Sequence, residues 1–191
     1  MTREGIIQMQ MRIGTIPDGF WGPESIKALR RHLRFMMPSP SPWPRTDTQS
    51  LLDYYGDPGD ESNLALIHLP YEMRYDGKVV TRMRVHKRCS ASLLRVLGSI
   101  KHLMEAVPDI VPEATDFGGC YNYRLKRGGS SWSLHAWGAA IDLDPGDNAF
   151  RASWPMQADM PLEIIEAFAQ EGWVSAAAMW GYDAMHFQAT Q

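Results

Sequence analysis

At 191 residues, 45% hydrophobic and 21% charged, the chain has the length of one ordinary domain, or of one domain with a small satellite, and the balance of a folded protein rather than a disordered one. A formal net charge of -3, a sequence pI near 6.1 and the lack of a basic stripe exclude a protein whose main task is neutralising nucleic-acid phosphates. No stretch approaches the roughly 18 apolar residues of a spanning helix, so no stable membrane association is expected, and the two cysteines, Cys89 and Cys120, form no CxxC and read as unpaired thiols.

The first segment, "MTREGIIQMQ", lacks the apolar run of a signal peptide, which points to a product that stays in the cytosol unless something else releases it. Ile6 to Leu33 reads as two short helices around "PDGFWGPES". Pro17-Asp18-Gly19 is a turn signal, Pro23 suits a first helical position, and "ESIKALRRHLRF" sets Ile26, Leu29 and Leu33 on one face. Asp18, Gly19, Trp21, Gly22, Pro23, Ser25 and Ala28, following the "IIQMQMRIG" helix, resemble the DGxFGPxTxxA signature of the small peptidoglycan-binding domain found on wall hydrolases. The resemblance is confined to residues 1–37, lacks one of the usual three helices, and implies that Asp18, Gly19, Trp21 and Gly22 meet the cell wall. A plain helical hairpin used as a lid or packing element is the alternative.

Next, "MMPSPSPWPRTD" holds four prolines and two serines, and proline's missing N–H and fixed φ forbid a helix through it. A linker is expected over 38–50, with a second domain over 51–191. "LALIHLPYEMRYDGKVVTRMRVHKRC" alternates apolar and polar residues around Tyr75-Asp76-Gly77, which predicts a hairpin. "SASLLRVLGSIKHLMEAV" carries Leu93, Leu94, Leu97, Ile100, Leu103 and Met104 at helical spacing, with a serine available as cap. "PLEIIEAFAQEG", Pro161 to Gly172, is a second helix begun by proline and stopped by glycine. The succession predicts an α+β fold, a small antiparallel sheet flanked by helices and preceded by the short helical module.

Chemistry concentrates in "SLHAWGAAIDLDP" and "WGYDAMHFQ". In a strand over "AAIDLD", Ala140, Asp142 and Asp144 share one face and Ile141 and Leu143 the other, with His135 just upstream and Gly138 allowing close backbone approach. A catalytic zinc site takes three protein ligands and keeps a fourth corner for water, and His186 in the second stretch can supply the third. Asp183, three positions before it, is placed to take a proton from an attacking water. Alone, His135 reads more readily as a satisfied structural histidine.

The two stretches together match SxHxxGxAxD followed by DxMHF, through Ser133, His135, Gly138, Ala140 and Asp142 and then Asp183, Met185, His186 and Phe187. This resembles the M15 zinc peptidases, the group containing D-alanyl-D-alanine carboxypeptidases and phage L-alanyl-D-glutamate endopeptidases. Upstream, "GGCYNYRLKRGGSSWS" is similar to the family's arginine-bearing segment, so the resemblance runs from about Leu64 to Gln188. It implies that His135, Asp142 and His186 bind Zn, that Asp183 is the general base, that Arg124 steadies the scissile carbonyl or a substrate carboxylate, and that Ser133 and Tyr123 touch substrate. Two departures are Asp183 where many relatives carry glutamate and Gln188 where many end "HFE". The implied function is a zinc-dependent peptidoglycan peptidase cutting an amide of the stem peptide, as a monomeric phage endolysin held in the host cytoplasm before release to the wall. The alternatives are a D-alanyl-D-alanine carboxypeptidase and a non-catalytic wall-binding protein on the same fold. His32, His68, His86 and His102 read as structural, Asp144 and Asp147 as turn formers, and Trp132, Trp137, Trp173 and Trp180 as core packing or as the lining of a substrate groove.

Overall fold

The computed structural model describes all 191 residues. It opens with α1 (Arg3–Arg12), whose first turn is capped by the Thr2 hydroxyl accepting from the Gly5 N–H, and α2 (Pro23–Met36), which buries Ala28, Leu29 and Leu33. Between them the buried Gln10 amide organises the turn, with Nε2 donating to Asp18 Oδ1 at 2.9 Å and Oε1 accepting from the Gly19 N–H at 2.9 Å. Gly19 holds φ +76°, Gly22 is the cap residue of α2, and Trp21 packs edge-on against Trp154 with centroids 5.4 Å apart. The four residues for which wall contact was expected are therefore engaged in building this turn and in docking it.

The proline-rich stretch is packed rather than free. Trp43 and Pro44 are buried, and the Trp43 indole donates to the Glu171 carbonyl at 2.9 Å. A helix, α3 (Thr48–Tyr55), begins inside the stretch expected to be linker, because the Asp47 carboxylate accepts from the Ser50 N–H and caps it.

The predicted hairpin is β1 (Leu64–Tyr75) and β2 (Lys78–His86), antiparallel from Leu64↔His86 to Tyr75↔Lys78. Asp76 and Gly77 both take positive φ, 49° and 72°, as the tightest hairpin turns require. There follows α4 (Lys87–Ala106), burying Cys89, Leu93, Val96, Leu97 and Ile100 along one stripe. Its cap is His86, whose ring accepts from the Arg88 N–H at 3.2 Å, and not the serine expected there: Ser90 lies inside the first turn and donates back to Lys87 O. A short α5 (Val111–Thr115) then leads to the central sheet.

That sheet has four very short strands, β3 (Phe117–Gly119), β4 (Ala140–Leu143), β5 (Val174–Ser175) and β6 (His186–Gln188), antiparallel in the order β3-β4-β6-β5. It is backed by α6 (Leu162–Gln170), whose Phe168 stacks on Phe187 at 3.9 Å, and is followed at β5 by α7 (Ala176–Trp180). The fold is α+β with small antiparallel sheets, and no helix is long and apolar enough to cross a membrane. Met9, Ile13, Leu29 and Leu33 belong to the same contiguous core as the sheet and α4. The helical hairpin is bound to α6 and α7 by polar contacts as well. Arg12 pairs with Glu163 and Glu166, His32 Nε2 meets Glu166 Oε1 at 2.8 Å, and Arg30 donates to the carbonyls of Ala178 and Met179 at 3.0 and 2.6 Å. Cys89 and Cys120 are buried and free.

Candidate metal centre and its cleft

Two elements bring the polar residues together. Asp142 and His186 are register partners across β4 and β6, so the pleat sends both side chains to the same face. His135 arrives from a single 3-10 turn, Leu134–Trp137, whose first N–H groups are capped by Ser133 and whose end is Gly138 in the left-handed region at φ +68°. A Cβ at Gly138 would lie 2.9 Å from Leu64 and 3.0 Å from the His86 backbone nitrogen, and the Gly138 carbonyl accepts from that same N–H at 2.9 Å. Only glycine lets the turn press this closely on the hairpin. Gly118 plays the same part on the other side, where a Cβ would sit 2.8 Å from that of Asp142.

The converging atoms are His135 Nε2, Asp142 Oδ1 and His186 Nδ1, separated by 3.2, 2.9 and 3.2 Å. Tetrahedral ligands with bonds of about 2.0 to 2.1 Å stand about 3.3 Å apart along each edge, so the triangle is close to the size that a small divalent ion requires. The outer faces of both rings are already committed. His135 Nδ1 lies 2.7 Å from the Cys120 carbonyl, which can only accept, and His186 Nε2 lies 3.2 Å from Gln188 Oε1, whose amide nitrogen in turn donates to Thr190 Oγ1 at 2.7 Å. Each ring therefore spends its N–H outward and turns a lone pair toward the carboxylate, an arrangement that calls for a cation in the middle. The centre favours positive charge beside the carboxylate: burial disfavours charge on His186, but Asp142 outweighs it and raises the His186 pKa, while burial of Asp142 is overcome by the two histidines, which hold its carboxyl well below the usual range. The residue set fits a divalent ion taking nitrogen and oxygen ligands, zinc among them.

Asp183 sits in the same cleft in the left-handed region, φ 59°, with its carbonyl accepting from the His186 N–H at 2.9 Å. Its Oδ1 is buried without a partner, and that burial raises its pKa, opposed by His186 and reinforced by Asp142. The cleft holds about 490 Å³ and is bordered by Arg124, Lys126 and Arg127 and by Phe150, Trp180 and Tyr182. Trp180 stacks on the His186 ring at 6.2 Å, and the Arg127 guanidinium lies 5.9 Å from the Phe150 ring centre. Of these, Lys126, Arg127, Phe150 and Tyr182 carry no signal in the sequence beyond the cationic run "RLKR", because only the fold shows which loop residues face the cleft. Of the tryptophans, Trp137 and Trp173 are core, whereas Trp180 lines the cleft.

The expected substrate contacts are distributed unevenly. Arg124 reaches the cleft, its one side-chain hydrogen bond being to the Leu125 carbonyl at 3.2 Å. Ser133 also borders it, but is buried with its hydroxyl turned to the His135 N–H at 3.4 Å. Tyr123 stands outside: its ring stacks on Trp132 at 4.6 Å and covers Gly59, where a Cβ would meet it at 2.5 Å. The substrate contact expected of Tyr123 thus has no counterpart in the cleft around the histidines.

No curated protein and no solved structure matches the chain. The segment that carries His135, Asp142, Asp183 and His186 does have a match, which leaves out the helical hairpin and begins just after Arg124: residues 127–189, about a third of the chain, match the family model described as D-alanyl-D-alanine carboxypeptidase, of peptidase family M15, which supports a peptidase related to peptidoglycan.

Proposed function

We propose that the protein is a zinc-dependent peptidase that hydrolyses an amide bond in the stem peptide of bacterial peptidoglycan. The observation that carries this reading is the triangle of His135 Nε2, Asp142 Oδ1 and His186 Nδ1, no side longer than 3.2 Å, with both rings held from outside and an unpartnered carboxylate oxygen of Asp183 in the same cleft. A zinc ion bound there supplies Lewis acidity, which brings the pKa of water to about 7 and polarises a carbonyl. Asp183 accepts the proton of the attacking water and passes it to the leaving amine, a role suited to a buried carboxylate whose proton affinity is already raised. Arg124, with Lys126 and Arg127 also bordering the cleft, offers planar and point-charge donors to a substrate carboxylate or to the carbonyl under attack. Trp180 shields one face of His186 from water.

The finer reading is an L-alanyl-D-glutamate endopeptidase acting as a phage endolysin, a monomer kept in the host cytoplasm until it reaches the wall, with the helical hairpin assisting its hold on peptidoglycan. Three cations bordering the cleft suit the acidic side chain of D-glutamate. The description of the matched family favours the second reading, a carboxypeptidase that removes terminal D-alanine. Purified sacculi digested with the zinc-loaded protein distinguish them by mass spectrometry of the products. New N-terminal D-glutamate is expected; free D-alanine would select the carboxypeptidase, and tight sacculus binding with no released fragment would leave a wall-binding protein.

A further inference from the structure

A second cavity of about 600 Å³ lies beside the first, and Val174, Met179, Thr190 and Gln191 border both. One of its walls comes from the sheet domain, through Ile165 of α6, Ser175 of β5 and Ala178 of α7; the other comes from the helical hairpin and the proline-rich stretch, through Leu33, Arg34 and Met37 of α2 and its end, and through Ser39 and Ser41. We propose that this cavity is a distal subsite of the cleft, in which the helical hairpin binds a peptide segment carrying a carboxylate, on the same substrate chain whose amide is cut beside His135 and His186. The inference rests on the peptidase reading for its substrate class, but not for its geometry.

Two side chains mark the subsite as built for a polar chain. Ser175 is 3% exposed and its hydroxyl has no hydrogen-bond partner, although it borders a cavity large enough to bring one. A buried hydroxyl left unpaired is destabilising, and rotation of the Ser175 side chain toward the cavity would let a peptide carbonyl or N–H satisfy it. The second is Arg34. Its neighbour Arg30 spends its guanidinium on the carbonyls of Ala178 and Met179, fixing α7 against α2, whereas Arg34 is exposed and has no ion-pair or hydrogen-bond partner. A free guanidinium at the mouth of a largely apolar cavity selects a carboxylate. The apolar walls of Leu33, Met37, Ile165 and Ala178 accommodate the aliphatic part of the same segment.

The test is equilibrium binding to the full zinc-loaded chain carrying Asp183→Asn, which prevents turnover. The probes are a purified disaccharide-tetrapeptide from sacculi and acetyl-L-alanyl-D-glutamate, which is too short to leave the first cavity. Arg34→Glu is expected to weaken the disaccharide-tetrapeptide about tenfold and Arg34→Lys to restore most of it. Ser175→Ala should weaken it several-fold while leaving the melting midpoint equal to or above that of its parent, since it removes an unsatisfied buried group. The short peptide should bind all variants alike. Unchanged binding of the long probe in Arg34→Glu and Ser175→Ala, no binding of the long probe to the parent, or equal losses for both probes would overturn the subsite. Failure of the peptidase reading looks different: the unmodified protein then releases no fragments from sacculi, while the long probe still binds the parent more tightly than it binds the Arg34→Glu variant.

Discussion

His135 and His186 each present one nitrogen inward and give the other away, and this division of labour makes the roles around the centre separable. His135→Ala removes one corner of the triangle and, on the proposed function, is expected to abolish both stoichiometric metal binding, read by elemental analysis of dialysed protein, and wall hydrolysis. Asp183→Ala should retain one equivalent of metal and lose hydrolysis by about 10²- to 10⁴-fold, the usual contribution of a positioned base; undiminished hydrolysis would remove Asp183 from the mechanism. Gln188→Leu takes away the acceptor that holds the outer nitrogen of His186 and should weaken metal binding by about 10- to 100-fold without altering the ligand set. The inward residues were legible in the sequence because two separated stretches together resemble the SxHxxGxAxD and DxMHF pattern; His135 by itself carried no such signal. The outward partners were not, since one is the Cys120 backbone carbonyl, which has no sequence signature, and the other is Gln188, which in the sequence stands out only as a departure from the "HFE" ending.

The helices and the hairpin illustrate where local chemistry suffices. Asp76-Gly77 announces its turn, and the stripe from Cys89 to Ile100 announces α4, yet the cap of that helix is the preceding histidine, which serves only because the hairpin delivers it there. The central sheet is harder to read because its strands are two to four residues long, too short to display alternation. The strand expected through Asp144 stops at Leu143, where Asp144 turns to φ 46° and its carboxylate accepts from the Asn148 amide at 2.8 Å. The turn before β4 is the most constrained element. Gly138→Ala imposes a side chain at φ +68° against the His86 backbone, and a loss of about 1–3 kcal/mol is expected, seen as a lower melting midpoint together with weaker metal binding.

For the molecule as a whole, the helical hairpin is a structural partner of the sheet domain. A chain shortened to residues 48–191 exposes the surfaces that Met9, Leu29 and Leu33 cover and leaves Glu166 without Arg12 and His32. Its melting midpoint should fall well below that of the full chain; an unchanged midpoint would show the hairpin to be an independent satellite. A second tie, between α4 and the end of α6, makes stability depend on pH. Burial pushes the Glu171 carboxyl up, but hydrogen bonds from Arg95 and Ser92 together with the Arg95 charge outweigh it and leave the pKa lowered. A carboxylate with a depressed folded pKa contributes its full stability above the unfolded value of about 4.3 and loses it as the pH falls through the folded value. Glu171→Gln should therefore lower the melting midpoint at pH 7, and the gap between the two proteins should close below about pH 4. The sequence separates the hairpin from the rest through four prolines, and it could not show that Trp43 among them anchors the stretch to Glu171.

The pairing of Asp142 with His186 across β4 and β6 has a consequence for the sheet itself. Side chains alternate faces along a strand, so a slip of one residue would turn His186 away from Asp142 and leave nothing to hold an ion. An ion gripping both strands then acts as a latch on their alignment, and its binding free energy becomes folding free energy for a strand only three residues long. Amide exchange at Ile141 and Phe187 should slow when metal is added and quicken on chelation, with the hairpin β1–β2 unaffected. The centre would then hold its own scaffold in register.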